Sequence, residues 1–341
     1  MTIRRSKPLA LALLMSFVAM PLTAETPHVD SSLDIYAKPG QFVNIGKHQR
    51  LNLRCSGRGT PTVVLESGNN ADSMTWFKVQ PEIAKFTRVC AYDRAGTGFS
   101  DGGPLPRNLD VNSADLSALI HIAHIATPAI FVGHSYGTNV VRRFADKHAA
   151  EVAALVLLDP PPQNVGEFSP EFEKEDEEQR IAMLSKVRQC QRGAEESKLD
   201  APPPGLKDCL RPPNPEFSAA LNAAIHANKT RPAFWQTIIS LSEANGALYK
   251  QPVATNESHG ATPLLILQPD TPFADVPPEM QKPLEQARQE TQQAIAATSS
   301  RSKIVPVGHS SHDVQLDRPD AVVEAVRTAI SMATKPVTQK P

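Results

Sequence analysis

The sequence predicts an α/β protein with a mostly parallel sheet of eight strands, helices on both faces and one helical insertion late in the chain. Three observations predict it. Short apolar runs alternate with stretches of helical periodicity. The central runs carry almost no charge, as strands covered on both faces require. The alternation breaks for about a hundred residues and then resumes, the pattern of an inserted unit.

The elements follow in order. Residues 25–40 are polar and turn-rich and read as a loosely held arm. Phe42 to Ile45 and Leu51 to Cys55, parted by a polar turn, read as a hairpin. Thr62 to Leu65 is a buried strand. Ser73 is a candidate cap for a helix carrying Trp76, Val79, Ile83 and Phe86 on one stripe. Arg88 to Tyr92 is the next strand, and apolar residues recur at helical spacing over 112–126. Strands at Ala129 to Val132 and Leu155 to Leu158 flank a helix running through Phe144. Residues 163–262 form the expected helical cap insertion, with helices near 170–192, 215–228 and 232–247. The pattern resumes with a strand at Leu264 to Leu267, a helix over 278–297, a strand at Lys303 to Val307 and a last helix from Pro319 to Met332. The core is thus expected in two parts, 25–162 and 263–333, with a flexible tail at 334–341.

Arg4, Arg5 and Lys7, an apolar run from Leu9 to Leu22 and a small-residue site ending at Ala24 read as a signal peptide over 1–24. The run is too short to cross about 30 Å of hydrocarbon comfortably, so no stable membrane anchor is expected, and the location is periplasmic or secreted. Without the three basic residues of 1–24, the chain's 35 basic groups fall to 32 against 36 acidic ones, a net charge of −4. That balance lacks the basic footprint of a nucleic-acid binder. The four cysteines suit an oxidising compartment, with Cys190 paired to Cys209 and Cys55 to Cys90, or else remain as buried thiols.

Gly133-His134-Ser135-Tyr136-Gly137, between an apolar strand and an amphipathic helix, is the pattern of a nucleophile elbow. It lifts a serine into the open at a helix N-terminus, where free N–H groups favour negative charge. Here the chain resembles the α/β-hydrolase family, and within it the serine-nucleophile bacterial members that carry a Tyr-Asp-Arg-Ala-Gly segment, present as Tyr92 to Gly96. The resemblance covers about residues 42–162 and 263–333 and implies a catalytic triad. It places the base after the last strand, where His312 fits the usual offset better than His309. The triad acid is Asp159, after the earlier strand, with Asp270 as the alternative; either aspartate can instead tie off a turn. By position in the family, the backbone N–H groups of Asn69 and Tyr136 form the oxyanion hole. Ser67-Gly68 stands where His-Gly is common. Asp93 and Arg94 are expected to be structural partners beside the site.

Nothing in the sequence calls for a cofactor or a metal; His121 and His124 share a helix face, but no further ligands join them. The acidic run Glu171 to Glu178 reads as a solvated helix face. Phe217, Phe234, Trp235, Ile238 and Leu241 read as core of the cap rather than lining of an acyl pocket. The expected activity is hydrolysis of a carboxylic ester or related acyl bond in a small molecule. The alternatives are an acyltransferase on the same triad and an inactive ligand-binding module on the same scaffold. The sequence does not disclose the oligomeric state.

Overall fold

A computed structural model describes residues 30–46 and 48–334; the expected signal peptide and the last seven residues lie outside the described residues. Among the described residues there are eight strands: β1 (Gln41–Asn44), β2 (Arg50–Ser56), β3 (Val63–Glu66), β4 (Val89–Tyr92), β5 (Ala129–His134), β6 (Val152–Leu158), β7 (Leu264–Pro269) and β8 (Ser302–Val307). They form one sheet in the order β1-β2-β4-β3-β5-β6-β7-β8. The pairings of β1 with β2 and of β2 with β4 are antiparallel, and every other pairing is parallel. Parallel strands need crossover connections, which bring helices to both faces and explain why β3 to β5 are buried at every position. At the far edge, β8 carries Lys303 and Pro306, residues that discourage a further strand from pairing.

The side chains of β5 divide alternately between the two faces. Phe131 joins Leu116, Leu119 and Ile120 of α2 (Leu109–Ile122), with Val140 and Phe144 of α3 (Tyr136–Lys147), in one core. Ile130 and Val132 join Ile83 of α1 (Gln80–Ala84) and Val322 and Val326 of α9 (Pro319–Thr334) in the other. The connecting loops gather at the carboxyl ends of the strands.

Between β6 and β7 stand α4 (Pro170–Glu195), α5 (Ala219–Lys229) and α6 (Pro232–Tyr249). Their own core holds Cys190, Leu199, Leu206, Phe234, Trp235 and Ile238, so the aromatic residues of α6 do pack the insertion. Leu241 reaches the main core instead. The insertion is seated on the loop after β4: Arg231 donates to the carbonyls of Ser100 (2.9 Å) and Gly98 (2.5 Å), and Ser240 Oγ accepts from the Arg107 amide (2.7 Å). Gly96, at φ 82°, permits this close approach, since a Cβ there would overlap Thr237 of α6.

Cys55 and Cys90 face each other across β2 and β4 and are disulfide-bonded; a second bond joins Cys190 of α4 to Cys209. Two expectations need correction. The segment at 31–37 is not a loose arm but a 3-10 helix, because Leu33 and Tyr36 fall on one face and bury against Leu221 of α5. The helix expected from Ser73 is broken in two: a 3-10 turn, Ser73–Trp76, is capped by Asp72, whose side chain accepts from the Met74 amide at 3.0 Å, and α1 begins only at Gln80, before Pro81. The Trp76, Val79 and Ile83 stripe is buried as its spacing predicts. The last helix continues through Thr334, into the expected tail.

Candidate active site

Where β5 gives way to α3, the chain changes from strand to helix across one residue. Ser135 does this at φ 50° and ψ −124°, a backbone conformation that L-residues rarely hold without support. Support comes from its own amide, which donates to Leu158 O at 3.0 Å, and from its carbonyl, which accepts from Thr138 N (2.9 Å) and Thr138 Oγ1 (2.7 Å). The flanking glycines are required by space. A Cβ on Gly133 would lie 2.7 Å from Gly137 O, and one on Gly137 would lie 2.5 Å from Glu66 O. The serine is half-buried, and among the described residues its hydroxyl has no hydrogen-bond partner. Catalytic hydrogen bonds are often long before substrate arrives.

His312 lies between β8 and the short α8 (Val314–Asp317), and Asp159 follows β6 directly, at φ 41°. The two residues meet: His312 Nδ1 donates to Asp159 Oδ2 at 2.7 Å. The other carboxylate oxygen accepts from Arg288 Nη1 (3.3 Å) and Gln292 Nε2 (3.4 Å), both on α7 (Pro278–Ala297). Asp159 is buried, whereas the His312 side chain keeps 40% of its surface exposed and can be reached from solvent. Burial works against an imidazolium at His312, but the bond to Asp159 and its charge outweigh that, and the histidine's pKa is raised.

Asp270, the alternative acid, is exposed and turned away from this pair. Its carboxylate accepts from the amides of Ser310 and His309, each at 2.9 Å, and these bonds hold its pKa below the usual carboxylate range. It braces the turn that leads to His312. His309 itself is exposed, in the left-handed region at φ 57°.

His134 has a part that its sequence position did not disclose. Its Nε2 donates to the carbonyl of His312 at 3.0 Å, and the two rings lie 4.8 Å apart, which ties the histidine loop to the elbow. Burial, aided by the neighbouring His312, lowers its pKa to about 3, so it remains a neutral donor.

The loop after β3 packs on the other side of the serine. A Cβ on Gly68 would come 2.9 Å from His134 Nδ1 and 3.3 Å from Ser135 Cβ, so glycine lets the loop lie against the elbow. Next to it, Asn69 is exposed, and the amide of Tyr136 begins a helix whose first N–H groups have no helical acceptor. Arg94, fully enclosed, clamps this loop: it pairs with Glu66 and donates to the carbonyls of Ser67 and Gly68. Asp93 accepts from Asn52 Nδ2, Phe99 N and Ser73 N, each at 2.8 Å. Ser67, in place of the common histidine, accepts from Trp76 Nε1 and donates to Asp72 O, each at 3.0 Å. Replacing Arg94 with Met would leave Glu66 buried without its cation; we expect a loss of about 3 kcal/mol in urea unfolding, at the low end for a broken buried pair because Glu66 can take up a proton.

Among the described residues, one group has the composition of a metal site, Asp146, Glu257 and His259. Arg142 already holds both oxygens of Glu257, at 2.7 and 2.5 Å, which opposes a cation there. His121 instead pairs with Glu151 at 3.1 Å, and His124 lies beyond the end of α2 at φ 51°.

Comparison with known proteins agrees with this architecture. An uncharacterised protein of Bacillus subtilis, YqjL, is 33% identical over 104 residues, 30% of this chain and 41% of that protein. The chain spans less than half the length of the first curated relatives it matches. A thermophilic esterase from Thermogutta terrifontis superposes with a TM-score of 0.58 at 18% identity, covering 87% of this chain and all of that one. The epoxide hydrolase CorEH superposes with a TM-score of 0.56 at 17% identity, covering 85% of this chain and 98% of that one. Esterase and epoxide hydrolase thus share this fold. The profile of the Alpha/beta hydrolase family matches residues 63–325, from β3 into α9, and the chain belongs to that family.

Proposed function

We infer that this protein is a serine hydrolase that cleaves a carboxylic ester or a related acyl bond through an acyl-enzyme. The observation that carries the reading is the bond from His312 to Asp159, beside a serine held at the sharp turn between β5 and α3. In the proposed reaction Ser135 Oγ attacks the substrate carbonyl while His312 Nε2 takes its proton. Asp159 holds the ring through Nδ1 and stabilises the imidazolium. The amides of Asn69 and Tyr136 receive the oxyanion; a donor of this kind is typically worth about 3 kcal/mol of barrier. Collapse returns the proton to the leaving alkoxide, and water then repeats the sequence on the acyl-enzyme, releasing the acid and free serine. Serine at the elbow, where an epoxide hydrolase of this fold would be expected to use aspartate, supports acyl chemistry. The two disulfides support an oxidising compartment, periplasmic or extracellular, and among the described residues no helix is long and apolar enough to cross a membrane.

The test is labelling with a serine-directed fluorophosphonate and peptide mapping, alongside a panel of chromogenic esters. We expect one adduct, at Ser135, and turnover of short esters. Labelling elsewhere, or none with no turnover, overturns the reading.

A pH profile gives a second expectation. The base must be neutral to accept a proton, and the pKa of His312 is raised from its ordinary 6.5, so kcat/KM should climb with pH through a midpoint above 6.5. Asp159→Asn should move that midpoint down, because the charge that favours imidazolium is gone.

A further inference from the structure

Beside Asn69, a cavity of about 530 Å³ opens between the loop after β6 and helices α4 and α6. One wall is apolar, with Pro161, Phe172, Met183 and Leu284. The lining also takes in one face of α6, on which Ser242, Asn245 and Tyr249 recur at i, i+3 and i+7, within a narrow arc of the helix. A helix facing an apolar cavity would ordinarily present apolar side chains there. This one presents a hydroxyl, an amide and a phenol.

Among the described residues, none of the three side chains has a hydrogen-bond partner. Ser242 and Asn245 are 7% and 6% exposed, and Asn245 Nδ2 is shut off from solvent. Buried polar groups are normally paired, so the unpaired Asn245 amide, flanked on the same helix face by the unpartnered hydroxyls of Ser242 and half-buried Tyr249, marks a place where a ligand supplies the partners. Burial pushes the phenol of Tyr249 far up, so it stays a neutral donor. The charged groups nearby are already engaged: Glu177 accepts from both Arg180 (2.5 Å) and Lys250 (3.1 Å), while Asp176 on the same lining has no ion pair. The wall therefore offers hydrogen bonds without a free cation.

We propose that the substrate of this hydrolase carries a neutral oxygenated arm, with hydroxyl, ether or carbonyl oxygens along a chain or ring, which lies on Ser242, Asn245 and Tyr249 with its carbon face against the Pro161–Leu284 wall. The inference rests on the serine-hydrolase reading above. Seven residues of α6 rise about 10 Å, which sets the length of arm the stripe can read. A plain alkyl chain fills the apolar wall but leaves the polar groups unpaired; a carboxylate-tipped arm meets Asp176 while the lining cations, Arg180 and Lys250, are already held by Glu177.

The test compares esters of equal chain length. The p-nitrophenyl esters of 7-hydroxyheptanoic and 6-methoxyhexanoic acid are set against the octanoate, with a hydrogen suberate as the anionic member. The oxygens lie far from the carbonyl, so intrinsic reactivity is matched. Acetates of 6-hydroxyhexanol and heptanol, followed by proton release, report the alcohol side. We expect kcat/KM to favour the oxygenated ester in at least one series, the suberate to be the poorest acyl substrate, and the oxygenated-to-alkyl ratio to fall about tenfold in Asn245→Leu and in Tyr249→Phe. The ratio is taken within each protein, so a general loss of activity or fold cancels. Turnover of acetate esters with octanoate and heptyl acetate preferred, and ratios unmoved by both substitutions, overturns the oxygenated arm while leaving the serine hydrolase standing. No turnover of any ester, acetates included, and no phosphonate adduct at Ser135 removes both.

Discussion

Ser135→Ala is expected to lower kcat for ester hydrolysis by about 10⁵-fold while leaving the unfolding transition nearly unchanged. Removing the hydroxyl deletes the attacking atom, and no neighbouring group replaces it: His134 and His312 are each engaged through one ring nitrogen in holding the other parts in place. The turn itself does not depend on the hydroxyl, because Ser135 is secured through its amide and carbonyl. What activity remains would come from binding and the oxyanion donors alone. Stopped assays with purified variant, checked for wild-type contamination by the phosphonate, measure it; a variant within about tenfold of wild type would mean that Ser135 is not the nucleophile.

The second large effect separates the two aspartates. Asp159→Asn is expected to cost about 10⁴-fold in kcat, because an amide at that position no longer fixes the imidazole tautomer or stabilises its cation. Arg288 and Gln292, which now donate to the aspartate, would favour the amide oxygen facing them and turn its NH₂ toward His312, reinforcing the wrong tautomer. Asp270→Asn should cost about tenfold or less, felt through the turn at Ser310 that carries His312. Parallel kcat and KM measurements on both variants decide it, and a larger loss at Asp270 would reverse the assignment.

Much of the fold was legible because periodicity is a local property. All eight strands, the place of the insertion and the helices that cover the sheet follow from apolar runs and helical spacing. The elbow was legible for a steric reason: two glycines flank a residue whose neighbours leave no room for a Cβ. Where local cues misled, a few side chains had outvoted composition. Leu33 and Tyr36 sit in a polar stretch, yet they bury against Leu221, far along the chain. Pro81 divides what the apolar stripe alone presents as one helix.

By itself, then, the sequence determined the strands, the insertion and the turn that exposes Ser135. Which aspartate meets His312 was decided only in three dimensions, because 153 residues separate the pair and both candidates end a strand of the same sheet. The support from Arg288 and Gln292, the tie from His134 and the unpaired face of α6 were decided there too. Hydrogen bonds depend on which loops converge at the carboxyl ends of the strands, and that convergence is set by the order and twist of the sheet rather than by any neighbouring residue.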